Sequence, residues 1–156
     1  MTFTIDNMIQ SIAGQLIATF PDGKGGCKYL IHQSPTFNAA VPGFYIFPVL
    51  PSMSEEPSDR LIREIMFDVV YVQQRNLTDQ NAQIYSVLDA LDESFDMLQF
   101  TDGTDSCPLH TYERNASIED QELHYKFRLK QRMYVDIADK RYLQELEDVN
   151  VYIEKD

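Results

Sequence analysis

One segment near the end of the chain dictates a strand with two unlike faces. In ELHYKFRLKQRMYV, residues 122–135, apolar side chains occupy one parity and basic side chains the other. The apolar set is Leu123, Tyr125, Phe127, Leu129, Met133 and Val135, and the basic set is His124, Lys126, Arg128, Lys130 and Arg132. Successive side chains of a β-strand point to opposite faces of the sheet. The pattern therefore predicts a strand with one face in the core and one cationic face.

Four other segments are predicted to be strands. They are KYLIHQ (28–33), PGFYIFPVLP (42–51), RLIREIMFDVVYVQQ (60–74) and PLHTYERNASI (108–118). In the third, Ile65, Phe67, Val69 and Tyr71 share one parity, which indicates a half-buried strand. Pro48 has no amide donor for a strand ladder, so we expect it at a sheet edge or a bulge.

Two segments have the apolar spacing of amphipathic helices. The first spans about 6–20 and the second about 76–98, with Asp6 and Thr78 as the expected N-caps. The apolar positions recur three and four residues apart, as on one face of a helix. They are Ile9, Ile12, Ala13, Leu16, Ile17 and Phe20 in the first helix, and Ile84, Val87, Leu88, Leu91 and Phe95 in the second.

The remaining segments are predicted to connect these elements. We expect 51–59 (PSMSEEPSD) to be a mobile loop, 101–106 a turn and 119–121 a tight connection. The C-terminal tail segment, 141–156, begins like a helical turn and ends with alternating valines. Together the elements predict one α+β domain over 1–156, a mostly antiparallel or mixed β-sheet with two amphipathic helices packed on one face.

Charge and composition limit the classes of function. The formal net charge is −12, with 13 Lys and Arg against 25 Asp and Glu, so tight unspecific binding to phosphate backbones is not expected. No signal peptide and no long apolar span are evident, which predicts a soluble cytosolic protein without a membrane partner. Cys27 and Cys107 lack metal or redox spacing and are expected to be free thiols.

No residue pattern predicts catalysis, a metal site or a cofactor. His32, His110 and His124 are scattered, and we expect them on the sheet surface or half-buried. The segment PDGKGG (21–26) follows a helix and lacks the Ser or Thr of a phosphate loop, so a turn is expected. The acid pairs of the second helix are expected to be solvated. We therefore expect no enzymatic activity.

The cationic strand face leaves three interpretations open. Lys126, Arg128, Lys130 and Arg132 could pair within the subunit with carboxylates of a neighbouring strand, for which Glu64 and Asp68 are the obvious supply. They could instead contact an acidic surface of a second copy or of another subunit. Direct contact with phosphate is the third interpretation.

Beyond these patterns, most of the chain resembles the tail terminator family of tailed bacteriophages and prophages. The resemblance lies in the order of weak motifs: a first helix ending at FP, a P-x-F-x-I strand, a strand–helix–turn–strand succession, a D-x-x-L-H strand and a closing QELE stretch. The matching residues include Pro42, Phe44, Ile46, Asp120, Leu123 and His124. The 51–59 segment and the additional basic residues of the late strand depart from the family pattern.

The resemblance implies a structural virion protein. Family members form a ring, commonly of six subunits, that caps the tail tube, stops its polymerisation and presents the surface to which the head attaches. The implied partners are other copies of the chain, the tail tube protein, a head completion protein, and DNA that passes through the ring. A head-tail connector at the same joint and a nucleic-acid or peptide-binding module built on residues 124–132 are the alternatives.

Overall fold

The helices and strands follow one another along the chain much as the residue patterns predict. The computed structural model describes residues 3–33, 41–56, 60–74 and 80–134, with the backbone alone at 50–56, 60, 80 and 132–134. Within this part lie α1 (Ile5–Thr19), β1 (Leu30–His32), β2 (Gly43–Glu56), β3 (Arg60–Val72), α2 (Gln80–Ser94), β4 (Met97–Thr101), β5 (Ser106–Glu119) and β6 (Glu122–Tyr134).

The strands form one mixed sheet, which confirms the predicted α+β class. In the described part its order is β1-β2-β3-β6-β5-β4, and every neighbouring pair is antiparallel except β1 with β2. Alternation places the apolar parity of β3 and β6 on the face that carries both helices. The core there contains Ile65, Phe67, Val69 and Tyr71 of β3, Leu123, Tyr125, Phe127 and Leu129 of β6, and Ile12, Leu16, Ile84, Val87, Leu91 and Phe95 from the helices and their ends.

Helix α1 closes the sheet into a half-barrel. It packs against β2 near one end of the strand order and against β4 at the other end, so the sheet curls around it. Its Ser11 hydroxyl accepts a hydrogen bond from the amide of Thr101 (3.0 Å), and the Gln15 amide donates to the carbonyl of Ser94 (2.7 Å). Side chains of α1 thus satisfy a backbone amide of the edge strand β4 and a backbone carbonyl at the C-terminal end of α2.

A tight hairpin joins β5 to β6, as predicted for 119–121. Asp120 and Gln121 have φ of 50° and 65°, and Glu119 pairs with Glu122 across the turn. Two consecutive residues with positive φ are typical of the two-residue type I′ turn, whose twist matches that of the flanking strands. This turn sets the register of β6 against β5.

The prediction of a loop at 51–59 is wrong for residues 51–56. These residues continue β2, with Ser52 paired to Glu64 and Glu56 paired to Arg60. The register shifts between Val49 and Ser52, which places Pro51 in an irregularity where no ladder donor is needed. Partnership with β3 therefore overrides the loop-like composition. Residues 57–59 lie outside the described residues.

Pro48 occupies the kind of position that was predicted for it. β1 pairs with β2 only from Gly43 to Tyr45, so Pro48 belongs to a stretch of β2 with a described partner strand on one side alone. It also directly precedes the register shift. A proline is tolerated at such an edge because no neighbour requires its missing amide.

Both predicted helix boundaries need correction. The N-cap of α1 is Thr4, whose hydroxyl accepts from the Asn7 amide at 3.1 Å, and Asp6 lies in the first turn instead. α2 ends at Ser94, and residues 97–101 form β4, a strand that the predicted helix to 98 concealed. Thr78 and the tail segment 141–156 lie outside the described residues.

Candidate cationic interface on the outer sheet face

The outer face of the sheet, opposite the helices, carries the cationic parity of β6. Leu123, Tyr125, Phe127 and Leu129 are at most 1% exposed, so the residues between them point away from the core. β6 lies between β3 and β5, which places carboxylates from two strands within reach of its cations. His124, Lys126, Arg128 and Lys130 can therefore be followed one by one. The side chain of Arg132 lies outside the described part.

Arg128 is held by carboxylates from both neighbouring strands. Its Nη1 donates to Glu64 Oε1 at 2.9 Å, and its Nε lies 3.0 Å from Glu113 Oε2. The hydrogen bond that the guanidinium donates to Glu64 and the nearby charge of Glu113 raise the pKa of Arg128 above its usual range. Of the three interpretations left open by the sequence, Arg128 and Glu64 show the pairing within the subunit.

Asp68 has a different partner from the one that its position suggests. Lys126 is its register partner across β3 and β6, yet Asp68 Oδ2 lies 3.0 Å from the Nδ1 of His124. The Nε2 of the same ring lies 3.9 Å from Glu122 Oε2. His124 is half-buried, as the sequence predicts. Asp68, which the sequence suggested as a partner for the four cations, therefore contacts His124 instead.

Lys130 contacts an aromatic ring. Its Nζ lies 5.2 Å from the centroid of Tyr112 on β5, within the range of a cation–π contact. Glu64 is the register partner of Lys130 on β3, but its carboxylate is engaged with Arg128. Lys130 is thus placed by an uncharged neighbour that the sequence analysis did not consider.

Lys126 differs from the other cations of this face. Among the residues that the structure describes, its ammonium group makes no hydrogen bond and no ion pair. Lys126 is one of the residues that line a recess of about 380 Å³. The others are Met66, Glu113, Arg114, Asn115, Phe127 and Arg128. The outer face therefore holds one half-exposed ammonium group beside a concave surface.

A bulge in β5 forms one wall of this recess. Tyr112 pairs with Arg128 and Asn115 with Lys126, so two residues of β5 oppose the single residue Phe127. Glu113 has φ of 50°, a left-handed conformation that L-residues seldom adopt. Bulges locally bend a strand and redirect its side chains. Here Glu113 reaches Arg128 on the outer face.

Arg114, the second bulge residue, faces the opposite way. Its Nη1 donates to the carbonyl of Asp92 near the end of α2 at 3.1 Å, and its Nη2 lies 3.5 Å from Asp96 Oδ1. Sequence reasoning missed Glu113 and Arg114 because a break in strand register leaves little trace in composition. The signal that existed was the failure of TYERNAS to alternate.

The predicted turn at 21–26 and the predicted free thiols agree with the structure. Asp22 Oδ1 accepts from the amides of Lys24 (2.7 Å) and Gly26 (2.9 Å), so PDGKGG is a capped turn, and these bonds lower the pKa of the Asp22 carboxyl. Cys27 and Cys107 are free thiols. Within the described ranges no group of three or more His, Cys, Asp or Glu could hold a metal ion. No described helix has the length and apolarity that a membrane crossing requires.

The described residues form an α+β half-barrel with paired charges on its outer face. The comparison with protein families identifies the family to which the chain belongs. A family model described as phage tail terminator protein matches residues 7–141, well over half of the chain. The chain belongs to the phage tail terminator family, so it is a structural component of a virion tail. A comparison with curated proteins found no match.

Proposed function

We propose that copies of this chain form a ring, with six subunits as the expected number, that caps the head-proximal end of the tail tube. The ring ends tail polymerisation and offers the surface to which the head attaches. Its partners are the tail tube protein and a head completion protein, and assembly takes place in the host cytoplasm. Membership of the tail terminator family over 7–141 is the observation that carries this proposal.

Opposite surfaces of the subunit support contact between copies. The cationic face of β6 lies on the outer side of the sheet, whereas α2 packs on the inner side and exposes Asp89 and Glu93 away from the sheet. Two unlike, complementary surfaces on opposite sides favour head-to-tail contacts. Contacts of this kind close into a ring when the rotation between subunits permits it.

The charge of the chain suits a channel through which DNA passes. With a formal net charge of −12, a ring of such subunits would repel the phosphate backbone and hold it only weakly. Stacking of bases receives no support from Tyr125 and Phe127, which are 1% and 0% exposed. DNA is therefore a passing partner in this proposal and not a bound ligand.

Deletion of the gene from the phage or prophage that encodes the chain tests this function. We expect tails of variable and excessive length together with unattached filled heads, because nothing stops the growth of the tube. Electron micrographs of the lysate give both readouts, and the intact gene supplied from a plasmid is the control. Tails of normal, uniform length without heads would indicate a head-tail connector instead. Normal infectious particles would exclude both roles.

A further inference from the structure

We propose that the recess at Lys126 is a socket for a carboxylate of the neighbouring copy, supplied by Asp89 or Glu93 of its α2. This inference rests on the proposed ring and assigns the residues through which its subunits meet. Lys126 differs in this respect from the other described cations of the face, which have partners inside the subunit.

Of the described cations on this face, Lys126 is the one without a partner inside the subunit. Arg128 has two carboxylates at 2.9 and 3.0 Å, and Lys130 lies over the ring of Tyr112. The carboxylate opposite Lys126, that of Asp68, is engaged by His124. Among the described side chains Lys126 thus forms no hydrogen bond or ion pair, so its ammonium group can bind a carboxylate from outside.

The shape of the recess and the donors at its rim suit a carboxylate. The bulge directs Glu113 to Arg128 and Arg114 to α2, which leaves the side chain of Asn115 without a described partner at the rim, beside Lys126. The recess measures about 380 Å³, enough for a side chain inserted from another molecule. An ammonium group and an amide NH₂ at its rim are both donors suited to carboxylate oxygens.

Asp89 and Glu93 of α2 are the carboxylates that we assign to the recess. On α2, Asp92 accepts a hydrogen bond from the Tyr125 hydroxyl at 2.9 Å and is therefore partly committed. Asp89 and Glu93 are exposed, lie four residues apart on one helix stripe, and have no described partner. Tyr85, one turn earlier on this stripe, is 52% exposed. Tyrosine is enriched among the residues that dominate binding at protein interfaces.

The fold excludes contact between Lys126 and the α2 of its own subunit. Tyr125 points inward and touches α2 through Asp92, whereas the adjacent Lys126 points outward. The sheet therefore separates Lys126 from the acidic stripe of its own α2. An α2 that reaches the recess therefore belongs to another copy, and repetition of this contact links subunits head to tail.

Charge reversal and charge exchange test the socket. In a phage lacking the gene, plasmid-borne Lys126→Glu should lower infectious titre at least about tenfold and lengthen the tails, because like charges then face each other at each contact. The same protein with Asp89→Lys and Glu93→Lys added should restore the titre and normal tail length. Lys24→Glu, an equal charge change on an exposed turn, should behave as the wild type.

The outcomes separate this inference from the proposed function. Normal tails with Lys126→Glu, or a defect that the exchanged charges fail to correct, would overturn the socket even where the wild-type gene restores tail length. Failure of the gene deletion to alter tails would overturn the proposed function itself. A urea unfolding midpoint equal to that of the wild type shows that Lys126→Glu folds. Lys126→Gln, which keeps the size and removes the charge, must show a milder defect.

Discussion

Tyr125 shows how one side chain joins the two layers of the molecule. Its ring lies in the core against Phe95 and Phe127, and its hydroxyl donates to Asp92 Oδ1 on α2 at 2.9 Å. Burial first, and then the hydrogen bond to Asp92, raise the pKa of Tyr125 to about 12. The neutral phenol is therefore the form that the folded protein favours.

This raised pKa predicts a specific dependence of stability on pH. A phenol titrates near 10 in the unfolded chain, so the stability due to neutral Tyr125 is complete below about pH 10 and is lost as the pH rises toward 12. At pH 8, Tyr125→Phe should lower the free energy of unfolding by about 0.5–1.5 kcal/mol, because one hydrogen bond is removed. The difference from the wild type should shrink above pH 10.

Urea unfolding at several pH values between 8 and 11.5 measures this difference. Tyr85→Phe, a change at an exposed position of α2, is the matched control and should follow the wild type throughout. A difference between Tyr125→Phe and wild type that stays constant with pH would mean that the Tyr125 hydroxyl does not titrate in the predicted way.

At the scale of elements, stability depends on how α1 and β4 meet. Ser11 is 3% exposed, and its hydroxyl accepts from the Thr101 amide while donating to the Asn7 carbonyl at 2.7 Å. The contact joins positions 90 residues apart in the chain. It closes the half-barrel at the edge where β4 has no further strand partner within the described sheet.

Replacement of this hydroxyl should weaken that edge. Ser11→Ala is expected to lower the free energy of unfolding by about 1–3 kcal/mol, because the Thr101 amide loses its acceptor in a largely buried place. Hydrogen exchange measured by NMR should speed up at Thr101 more than in β3. Ser86→Ala, on the exposed side of α2, is the control and should change neither quantity. Unaltered exchange at Thr101 would contradict the assigned role of Ser11.

Residue patterns predict elements better than they predict the contacts between them. The alternation in 122–135 and 60–74 predicts the inward faces of β6 and β3, because strand periodicity is a local property. Which carboxylate meets which cation depends on register and on the β5 bulge, and both arise from pairing between distant segments. The sequence therefore suggested Asp68 for the cations of β6 but could not reveal its contact with His124, or that Lys126 has no ion pair with a described residue.

The two misjudged segments have separate causes. Residues 51–56 have loop-like composition, and their strand conformation comes from antiparallel pairing with β3. The short strand β4 directly follows α2, so its alternation was included in the helix. Its burial pattern, with Leu98 and Phe100 inward and Met97 and Gln99 outward, could have been read from MLQFT.

At the scale of the whole molecule, the proposed ring requires complementarity between two opposite surfaces of the subunit. The outer sheet face offers Lys126 beside a recess, and the helix face offers Asp89 and Glu93. The contact should weaken as salt increases, since exposed charges guide it.

Zero-length cross-linking of assembled tails tests this contact most directly. A carbodiimide joins an ammonium group to a carboxylate only where the two touch, and assembly from a mixture of ¹⁴N- and ¹⁵N-labelled subunits distinguishes bonds between copies from bonds within one. We predict a peptide pair linking Lys126 to Asp89 or Glu93, with mixed isotopes, recovered from tails and absent from dissociated subunits. Intact capped tails in which Lys126 forms no such link and reacts freely with an acetylating reagent would contradict the account.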